Sequence, residues 1–362
     1  MKQVGIYTFI NTENYGALLQ ACAISHLCKK NGYAPTFITH GNASGTIKWN
    51  IKHDIWQNIR LLLGYKQRLR STRKFKNTYL PCDINPDNES INIKYDKLIT
   101  GSDQVWNPDI TKNNFNFLLS HITDNTKKIA YAASFGRTNL PTKYIDIYRE
   151  YISTFTHISV RENSGIRILN DIGIYNAKTC LEPTLLLNSN QWNNVLQIDT
   201  THKSSKYILC YLMPGNRSNK FIKQYAKVLS RKTGYKLRIV GDREYNRVFS
   251  NKYITTAGPK EFVELIANAS IVLTNSFHGT CFSINYHKNF ISFIWQDGSI
   301  DNRNSRISCL LNDLNISHCL FKVNNKVLVD NVKLFELDYQ TVDDILNHKR
   351  EDSLHFLATA LK

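Results

Sequence analysis

The residues most typical of a catalytic loop surround His278. Residues 271–283 read I-V-L-T-N-S-F-H-G-T-C-F-S. The apolar start predicts a buried parallel strand, and the residues around His278 predict the first turn of a helix. In an open α/β sheet, ligands bind at this edge, where a helix N-terminus favours an anion and a histidine can move a proton. The pattern indicates an anion site with acid–base chemistry. A helix-capping loop with an incidental histidine is the alternative.

Two other polar clusters follow predicted strands. Residues 101–108 read G-S-D-Q-V-W-N-P. Asp103 and Gln104 can fix sugar hydroxyls, although an aspartate here can equally form an Asx-type turn. Arg161 follows the strand predicted over residues 156–160, where a guanidinium can fork two hydrogen bonds onto a carboxylate or phosphate. A simple ion pair of Arg161 with Glu162 or with another acid is the alternative.

These loops require a scaffold of alternating strands and helices. The patterns predict one series of strand–helix units, a second series after it, and a final helix over residues 342–361. A chain of 362 residues exceeds one ordinary core. The sequence therefore predicts an α/β fold of two Rossmann-like domains facing a cleft, residues 1–181 and 182–339, with residues 340–362 packing back on the first. The loop over residues 10–16 lacks the GxGxxG spacing of a dinucleotide site.

The net charge of +17 is large, while the hydrophobic fraction of 42% and charged fraction of 21% are ordinary for a globular protein. Such a charge fits nucleic acid, an anionic membrane surface or an acidic small substrate. Residues 66–76 read K-Q-R-L-R-S-T-R-K-F-K and follow an apolar stretch. Residues 49–76 thus form a candidate amphipathic segment for an anionic bilayer. A solvated helix face beside a core-facing stripe is the alternative.

The eight cysteines are scattered singly, without a CxxC pair. This spacing favours buried thiols in a reducing compartment over disulfides or zinc, and no cluster of ligands has the spacing of a metal site. No stretch has the length of a transmembrane span, and residues 1–6 lead directly into a strand. We therefore expect a cytoplasmic protein, with peripheral contact at the inner face of the membrane as an option, and no metal.

Six motifs, in order along nearly the whole chain, resemble those of the polysaccharide pyruvyl transferase family. They are N-Y-G-A-L-L-Q-A at 14–21, T-G-S-D-Q-V-W-N-P at 100–108, S-V-R-E at 159–162, L-E-P-T-L-L-L at 181–187, T-N-S-F-H-G-T at 274–280 and N-S-R-I at 304–307. Each motif alone is weak, but six in order are specific. The resemblance implies a glycosyltransferase GT-B-like architecture. It also implies transfer of the pyruvyl group of phosphoenolpyruvate to two hydroxyls of a sugar, in a surface polysaccharide or its lipid-linked precursor, with formation of a cyclic ketal.

The resemblance also implies roles for single residues. His278 would be the general acid or would stabilise the departing phosphate, and Arg161 would bind the donor. The donor would further contact Ser276, Phe277, Gly279 and Thr280 in the second domain. Some family members carry an arginine where this chain has Ser276, so Arg303 or Arg306 would supply that contact. The acceptor would lie against five residues of the first domain: Asn14, Tyr15, Ser102, Asp103 and Gln104.

Phosphoenolpyruvate would be a substrate, so the resemblance implies neither a cofactor nor a nucleic-acid partner. Two alternatives stay open. A glycosyltransferase of the same architecture would use a nucleotide sugar, although the sequence has no obvious nucleotide-diphosphate signature. A basic module without catalysis would bind a membrane or nucleic acid, which leaves the polar loops at the strand ends unexplained.

Overall fold

The described part of the chain forms two compact α/β units. A computed structural model describes residues 1–39, 55–200, 206–241, 252–296, 305–324 and 336–362. The first unit takes its residues from Met1–Gly45, Lys76–Leu186 and Leu346–Lys362, and the second from Thr46–Phe75 and Leu187–Ile345. The domain boundary expected after residue 181 stays a prediction.

The first unit is built on a seven-stranded parallel sheet. Its inner strands are almost wholly buried, as expected for a parallel sheet covered on both faces. The strands are β1 (Lys2–Tyr7), β2 (Tyr33–Thr39), β3 (Cys82–Ile84), β4 (Lys97–Thr100), β5 (Lys128–Ala133), β6 (His157–Val160) and β7 (Lys178–Thr179). Their order in space is β3-β2-β1-β4-β5-β6-β7.

The second unit repeats this plan with a six-stranded parallel sheet. Its strands β8 and β11 are buried along their whole length, so their sequences are continuous apolar runs that end in a polar loop. The strands are β8 (Tyr207–Tyr211), β9 (Lys236–Val240), β10 (Tyr253–Ile254), β11 (Ile271–Thr274), β12 (Asn289–Trp295) and β13 (Leu320–Val323). Their order in space is β10-β9-β8-β11-β12-β13.

Thirteen α-helices are present in the described residues. The helices after β1, β8 and β11 connect parallel strands, which is the usual crossover of an α/β sheet. The helices are α1 (Tyr15–Lys30), α2 (Ile55–Tyr79), α3 (Asn88–Lys94), α4 (Pro108–Thr111), α5 (Ile145–Ile152), α6 (Asn163–Asp171), α7 (Pro183–Leu186), α8 (Ser189–Leu196), α9 (Asn219–Thr233), α10 (Pro259–Ala267), α11 (Phe277–Asn285), α12 (Ser305–Asp313) and α13 (Tyr339–Leu361).

Both sheets share one strand order. Read from the first strand of each unit, the order 3-2-1-4-5-6 appears in both, which is the Rossmann arrangement. The predicted fold class is therefore confirmed: the protein has two Rossmann-like α/β units. In each sheet the order reverses between the first and fourth strands, which are β1 and β4 in one unit and β8 and β11 in the other. A ligand crevice is expected at the carboxyl ends of these strand pairs.

The basic stretch after residue 64 belongs to helix α2. Gly64 packs on Thr255, and Ser71 packs on Gly258, so one face of the helix is covered. Lys66, Arg70 and Arg73 are exposed. An exposed basic face fits both alternatives, so membrane contact of this segment stays a prediction. Residues 49–54 of the candidate membrane segment lie outside the described residues. Among the described helices, none has the combination of length and apolar character needed to cross a bilayer.

None of the eight cysteines forms a disulfide, and six of them are buried. Burial raises the pKa of Cys22 and of Cys28 to about 12 each, because a thiolate loses its hydration in the core. Both groups are therefore thiols at neutral pH. They are small apolar side chains of helix α1 and not nucleophiles.

Candidate functional site

The loop after β11 is held in place by hydrogen bonds to its own strand and to β8. Thr274 Oγ1 donates to the carbonyl oxygen of Tyr211 at 2.7 Å and accepts from Ser276 N at 3.0 Å. Ser276 is the N-cap of α11, and its side chain accepts from Gly279 N at 3.3 Å. A serine side chain in this position satisfies one of the amide groups left open at a helix start. The predicted strand, turn and helix around His278 are thus present.

Asn275 connects this loop to the loop that follows β8. Its Oδ1 accepts from Met213 N at 2.7 Å, and its Nδ2 donates to Ser218 Oγ at 2.9 Å and to Asn219 Oδ1 at 2.7 Å. Asn219 Nδ2 in turn donates to the carbonyl oxygen of Met213 at 3.0 Å. This buried network crosses the reversal of strand order between β8 and β11. It fixes the start of α9 to the loop that carries His278.

His278 is the second residue of α11 and is 6% exposed. The ring of Phe277 meets it edge to face, with 5.4 Å between the ring centroids. The guanidinium carbon of Arg306 lies 5.4 Å from the centroid of the same phenylalanine ring. A cation within about 6 Å of an aromatic face is attracted to it. The structure thus brings Arg306 close to the predicted donor loop, whereas Arg303 lies outside the described residues.

Gly279 and Thr280 set how closely α11 approaches the sheet. A Cβ at Gly279 would lie 2.5 Å from Thr274 Oγ1 and 2.9 Å from Tyr211 Cδ1, so a larger residue would force the helix away. Thr280 is fully buried, and its hydroxyl contacts the carbonyl oxygen of Ser276 and, at 2.7 Å, Ser292 Oγ. Both residues therefore have a packing role at this site. Their predicted contact with a donor stays a prediction.

The first unit has an equivalent site between the ends of β1 and β4. Thr8 Oγ1 donates to the carbonyl oxygen of Ser102 at 2.9 Å, and Gly101 N donates to that of Tyr7 at 2.8 Å. Gln20, fully buried in α1, donates to Thr8 Oγ1 at 2.8 Å. Sequence reasoning missed Thr8 and Gln20. A polar glutamine inside the apolar run of α1 is the signal that would have pointed to them.

Arg161 lies against the predicted Ser102–Asp103 loop. Its Nη2 donates to Ser102 Oγ at 2.5 Å, and its Nη1 is 4.0 Å from Asp103 Oδ1. The side chain of Arg161 is 3% exposed and that of Asp103 is 12% exposed. The structure thus brings three of the predicted site residues together. The ion-pair alternative also holds, with Asp103 as the acid.

Asp103 has a left-handed backbone conformation, which is uncommon for a residue other than glycine. Its φ is +75°, in the left-handed region, and its Oδ1 accepts from Gln104 N at 2.9 Å. Its carbonyl oxygen accepts from Ser134 N at 3.0 Å, which links the loop to the end of β5. A left-handed aspartate is uncommon and persists only where the surroundings hold it. The aspartate thus makes the local turn contact and also faces Arg161.

A bulge in β5 shapes the same edge. The register of β5 against β6 shifts between Ala130 and Ala133, and Ala132 has a φ of +46°. Ser102 Oγ donates to the carbonyl oxygen of Ala132 at 3.2 Å, and the amide of Ala132 donates to Ser159 Oγ at 2.9 Å. Bulges are common beside active sites because they redirect the chain. The sequence around Ala132 contains no residue that marks a bulge in advance.

Glu162 is a second acid at this edge that sequence reasoning left without a site role. Ser134 Oγ donates to Glu162 Oε1 at 2.7 Å, and Gly136 N donates to Ser134 Oγ at 3.0 Å. The residue is 5% exposed. The carboxylate therefore orders the turn after β5, next to the strand end that carries Arg161. The serine and glutamate lie 28 positions apart, so no local pattern reveals the contact.

The remaining predicted acceptor residues have structural contacts of their own. Asn14 is the N-cap of α1, and its side chain accepts from Gly16 N at 3.0 Å. Tyr15 is 3% exposed. Gln104 Oε1 accepts from Asn107 Nδ2 at 2.9 Å and lies 1.9 Å from where a Cβ of Gly136 would be, so only glycine leaves room for it. Whether Asn14, Tyr15 and Gln104 contact an acceptor stays a prediction.

Each unit therefore presents a buried, prearranged polar edge with a different chemistry. The edge with His278 offers a proton-transfer group and the N-terminus of a nine-residue helix, which favours negative charge. The edge with Arg161 offers a guanidinium and carboxylates. No group of three or more histidine, cysteine or acidic residues within the described part of the chain is placed to hold a metal ion.

Comparison with known proteins gives one match to a protein family. The model of the family described as "Polysaccharide pyruvyl transferase" matches residues 14–297. This segment contains β4, β8 and β11 together with Arg161 and His278, whereas β1 precedes it. No curated protein sequence matches the chain.

Solved structures with a similar chain path have low identity. "S. aureus MnaA-UDP co-structure" has a TM-score of 0.48 and 11% identity, covering 99% of this chain and 91% of that one. A UDP-GlcNAc 2-epimerase from Neisseria meningitidis bound to UDP-GlcNAc has a TM-score of 0.47 and 13% identity, covering 99% and 94%. The MurG of Acinetobacter baumannii has a TM-score of 0.45 and 7% identity, covering 99% and 98%.

The Asn275 network makes a stability prediction. Asn275→Ala removes an acceptor and two donor contacts in a buried site, and we expect a loss of about 1–3 kcal/mol in the free energy of unfolding. Urea denaturation measures it. Gln224→Ala, an exposed amide on α9, is the matched control and should stay within about 0.5 kcal/mol of the parent. An Asn275→Ala transition that coincides with the control would contradict the bridging role.

Proposed function

Because this chain belongs to the polysaccharide pyruvyl transferase family, we propose that it transfers the pyruvyl group of phosphoenolpyruvate onto two hydroxyls of one sugar. The sugar belongs to a polysaccharide or to its lipid-linked precursor. The observation that carries this proposal is the family match over residues 14–297, which includes Arg161 and His278. Family membership makes the protein a transferase of polysaccharide pyruvylation. What we propose beyond family membership is that phosphoenolpyruvate is the donor and that the product is a cyclic ketal.

The proposed reaction balances as follows. A proton adds to the methylene carbon of phosphoenolpyruvate, and the neighbouring carbon becomes oxocarbenium-like. One sugar hydroxyl adds to that carbon, the carbon–oxygen bond to phosphate breaks, and the second hydroxyl closes the ketal ring. The two sugar hydroxyls release two protons. One returns to the group that protonated the methylene carbon, and the other leaves with the phosphate. The protein must therefore supply a proton to carbon and stabilise a leaving anion.

We assign the proton transfer to His278. The residue lies in the first turn of α11, behind the cap formed by Ser276, so that amide groups of a helix start are close to it. A phosphate or carboxylate there would be favoured by the helix dipole. Arg306, which lies over Phe277, is our candidate for the donor contact that Ser276 cannot make.

We assign donor binding in the first unit to Arg161. Its guanidinium is oriented by Ser102 and has Asp103 as a partial counter-charge at 4.0 Å. An arginine held in this way loses little conformational freedom when it binds a carboxylate or phosphate. Ser102, Asp103 and Gln104 would also contact the acceptor sugar.

Ligand-induced stabilisation tests the donor. Phosphoenolpyruvate at about 100 times its Kd should add about 2.7 kcal/mol to the stability of the protein and raise its melting temperature. Nucleotide sugars should not. Transfer is then tested with candidate glycans, as a mass gain of one pyruvyl ketal with release of phosphate. Stabilisation by nucleotide sugars alone would contradict the proposal in favour of a glycosyltransferase.

The role of His278 has its own test. We expect His278→Ala to lower kcat by about 10²–10⁴-fold, because the proton would then come from water, while the melting temperature rise with phosphoenolpyruvate persists. Steady-state kinetics measures it. His348→Ala, an exposed histidine on α13, is the control and should keep full activity. Full activity of His278→Ala would rule out the catalytic role.

We further propose that α2 contacts an anionic membrane through its basic face, where a lipid-linked acceptor would be found. Lys66, Arg70 and Arg73 are exposed and follow the i, i+4, i+7 spacing of one helix face. Each basic residue near an anionic bilayer contributes about 1 kcal/mol. Leu69, which is 38% exposed, adds an apolar contact beside them.

Vesicle sedimentation tests this contact. We expect phosphatidylserine vesicles to deplete the protein at low salt, and the triple variant Lys66→Glu, Arg70→Glu, Arg73→Glu to stay in the supernatant. The matched control reverses three exposed charges of α9, as Lys227→Glu, Arg231→Glu, Lys232→Glu, and should still sediment. Equal sedimentation of the two triple variants would contradict a specific role of α2.

A further inference from the structure

A groove in the second unit lies away from the loop of His278. It has a volume of about 340 Å³, within the range of small-molecule sites. Its lining includes residues of α10 and of its two ends, and residues of α2: Thr256, Glu261, Glu264, Leu265, Asn268, Gln67 and Ser71. None of its lining residues belongs to the loop after β11.

The polar lining offers donors and acceptors side by side. Gln67 and Asn268 contribute amides, which carry both a carbonyl acceptor and an NH₂ donor, and Asn268 Nδ2 uses one of its hydrogens to donate to the carbonyl oxygen of Glu264 at 3.0 Å. Ser71 and Thr256 contribute hydroxyls, each of which can donate and accept a hydrogen bond. A ligand that matches this lining needs groups that donate and accept at once. Sugar hydroxyls have that property.

The charges of the lining disfavour an ion. Glu261 and Glu264 both line the groove, so an anion such as phosphate would meet two carboxylates. Arg238 lines it too and would repel a cation. Lys260, 3.7 Å from Glu264 Oε1, adds a further positive charge nearby. Burial raises the pKa of Glu264, because its carboxylate has lost part of its hydration. A hydroxyl group of a ligand could donate a hydrogen bond to this carboxylate in place of the lost water.

The apolar part of the lining suits the face of a sugar ring. Ile254 and Leu265 contribute aliphatic surface. The guanidinium carbon of Arg238 lies over the ring of Tyr207, 4.2 Å from the ring centroid, and Tyr207 Oη donates to the carbonyl oxygen of Leu265 at 2.6 Å. These contacts give the groove a rigid wall. A pyranose combines hydroxyl edges with apolar C–H faces and so complements both kinds of lining.

We propose that the groove between α2 and α10 binds an uncharged segment of a glycan chain at a distance from the transfer chemistry. That this glycan is the acceptor rests on the proposed function. The groove would then hold a polymer while one of its sugars reacts elsewhere, so that its effect appears in the affinity for long acceptors. Binding of the saccharide itself requires neither phosphoenolpyruvate nor His278.

Saturation-transfer NMR on the full chain tests the proposal, with cellopentaose, maltopentaose and N-acetylchitopentaose as probes and no donor present. We expect transfer of saturation from the protein to at least one probe. Gln67→Trp places an indole in the groove from an exposed position of α2, and it should weaken binding at least tenfold. Glu264→Gln keeps the shape and removes the carboxylate acceptor, and it should weaken binding less.

The controls separate this inference from the transfer reaction. Asn77→Trp adds the same indole at an exposed amide ten positions further along α2 and should bind the probe like the parent. His278→Ala should also bind it normally. Absence of saturation transfer to all three probes, or unchanged binding by Gln67→Trp, would overturn the proposal. If phosphoenolpyruvate fails to stabilise the protein while Gln67→Trp still abolishes saccharide binding, the proposed function falls and the groove assignment stands.

Discussion

The structure depends on hydrogen bonds that cross the reversal of strand order in each parallel sheet. At this point the two connecting helices leave on opposite faces of the sheet, and a crevice opens between the strand ends. Backbone groups in such a crevice must find partners, because a buried group without one costs about 1–3 kcal/mol. Thr8 and Gly101 meet that need in the first unit, and Thr274 and Asn275 meet it in the second.

The same hydrogen bonds prearrange the side chains of the candidate site. Ser102 is held by Thr8 through its carbonyl oxygen and by Ala132 through its hydroxyl, and it is this hydroxyl that receives Arg161. Arg161 therefore does not have to find its orientation when a ligand arrives. A group fixed before binding contributes more to the transition state, because little reorganisation is left to do. The left-handed Asp103 and the bulge at Ala132 are local strain that this network sustains.

The sequence predicted where the strands end, but not the hydrogen bonds that connect the loops after them. Apolar runs that end in T-N-S or G-S-D predicted both edges, and the fold class followed from their alternation. Asn275 was visible as a polar residue after a strand, yet its partners Ser218 and Asn219 lie 57 and 56 positions away. No local pattern carries such a contact. Asn14 is a different case: the resemblance implied only an acceptor contact for it, and the structure shows that it caps α1, a position that favours asparagine.

Ser276 shows that one position can supply either a helix cap or a positive charge, but not both. As the N-cap of α11 its hydroxyl accepts from Gly279 N, which an arginine side chain cannot do because it has no acceptor. A chain with arginine here would gain a positive charge at the N-terminus of α11 and lose the cap, at a cost of about 1 kcal/mol. This chain keeps the cap, and it places the guanidinium of Arg306 over the neighbouring Phe277 ring instead. The positive charge at the loop is thus supplied from α12, and the helix start that carries His278 stays intact.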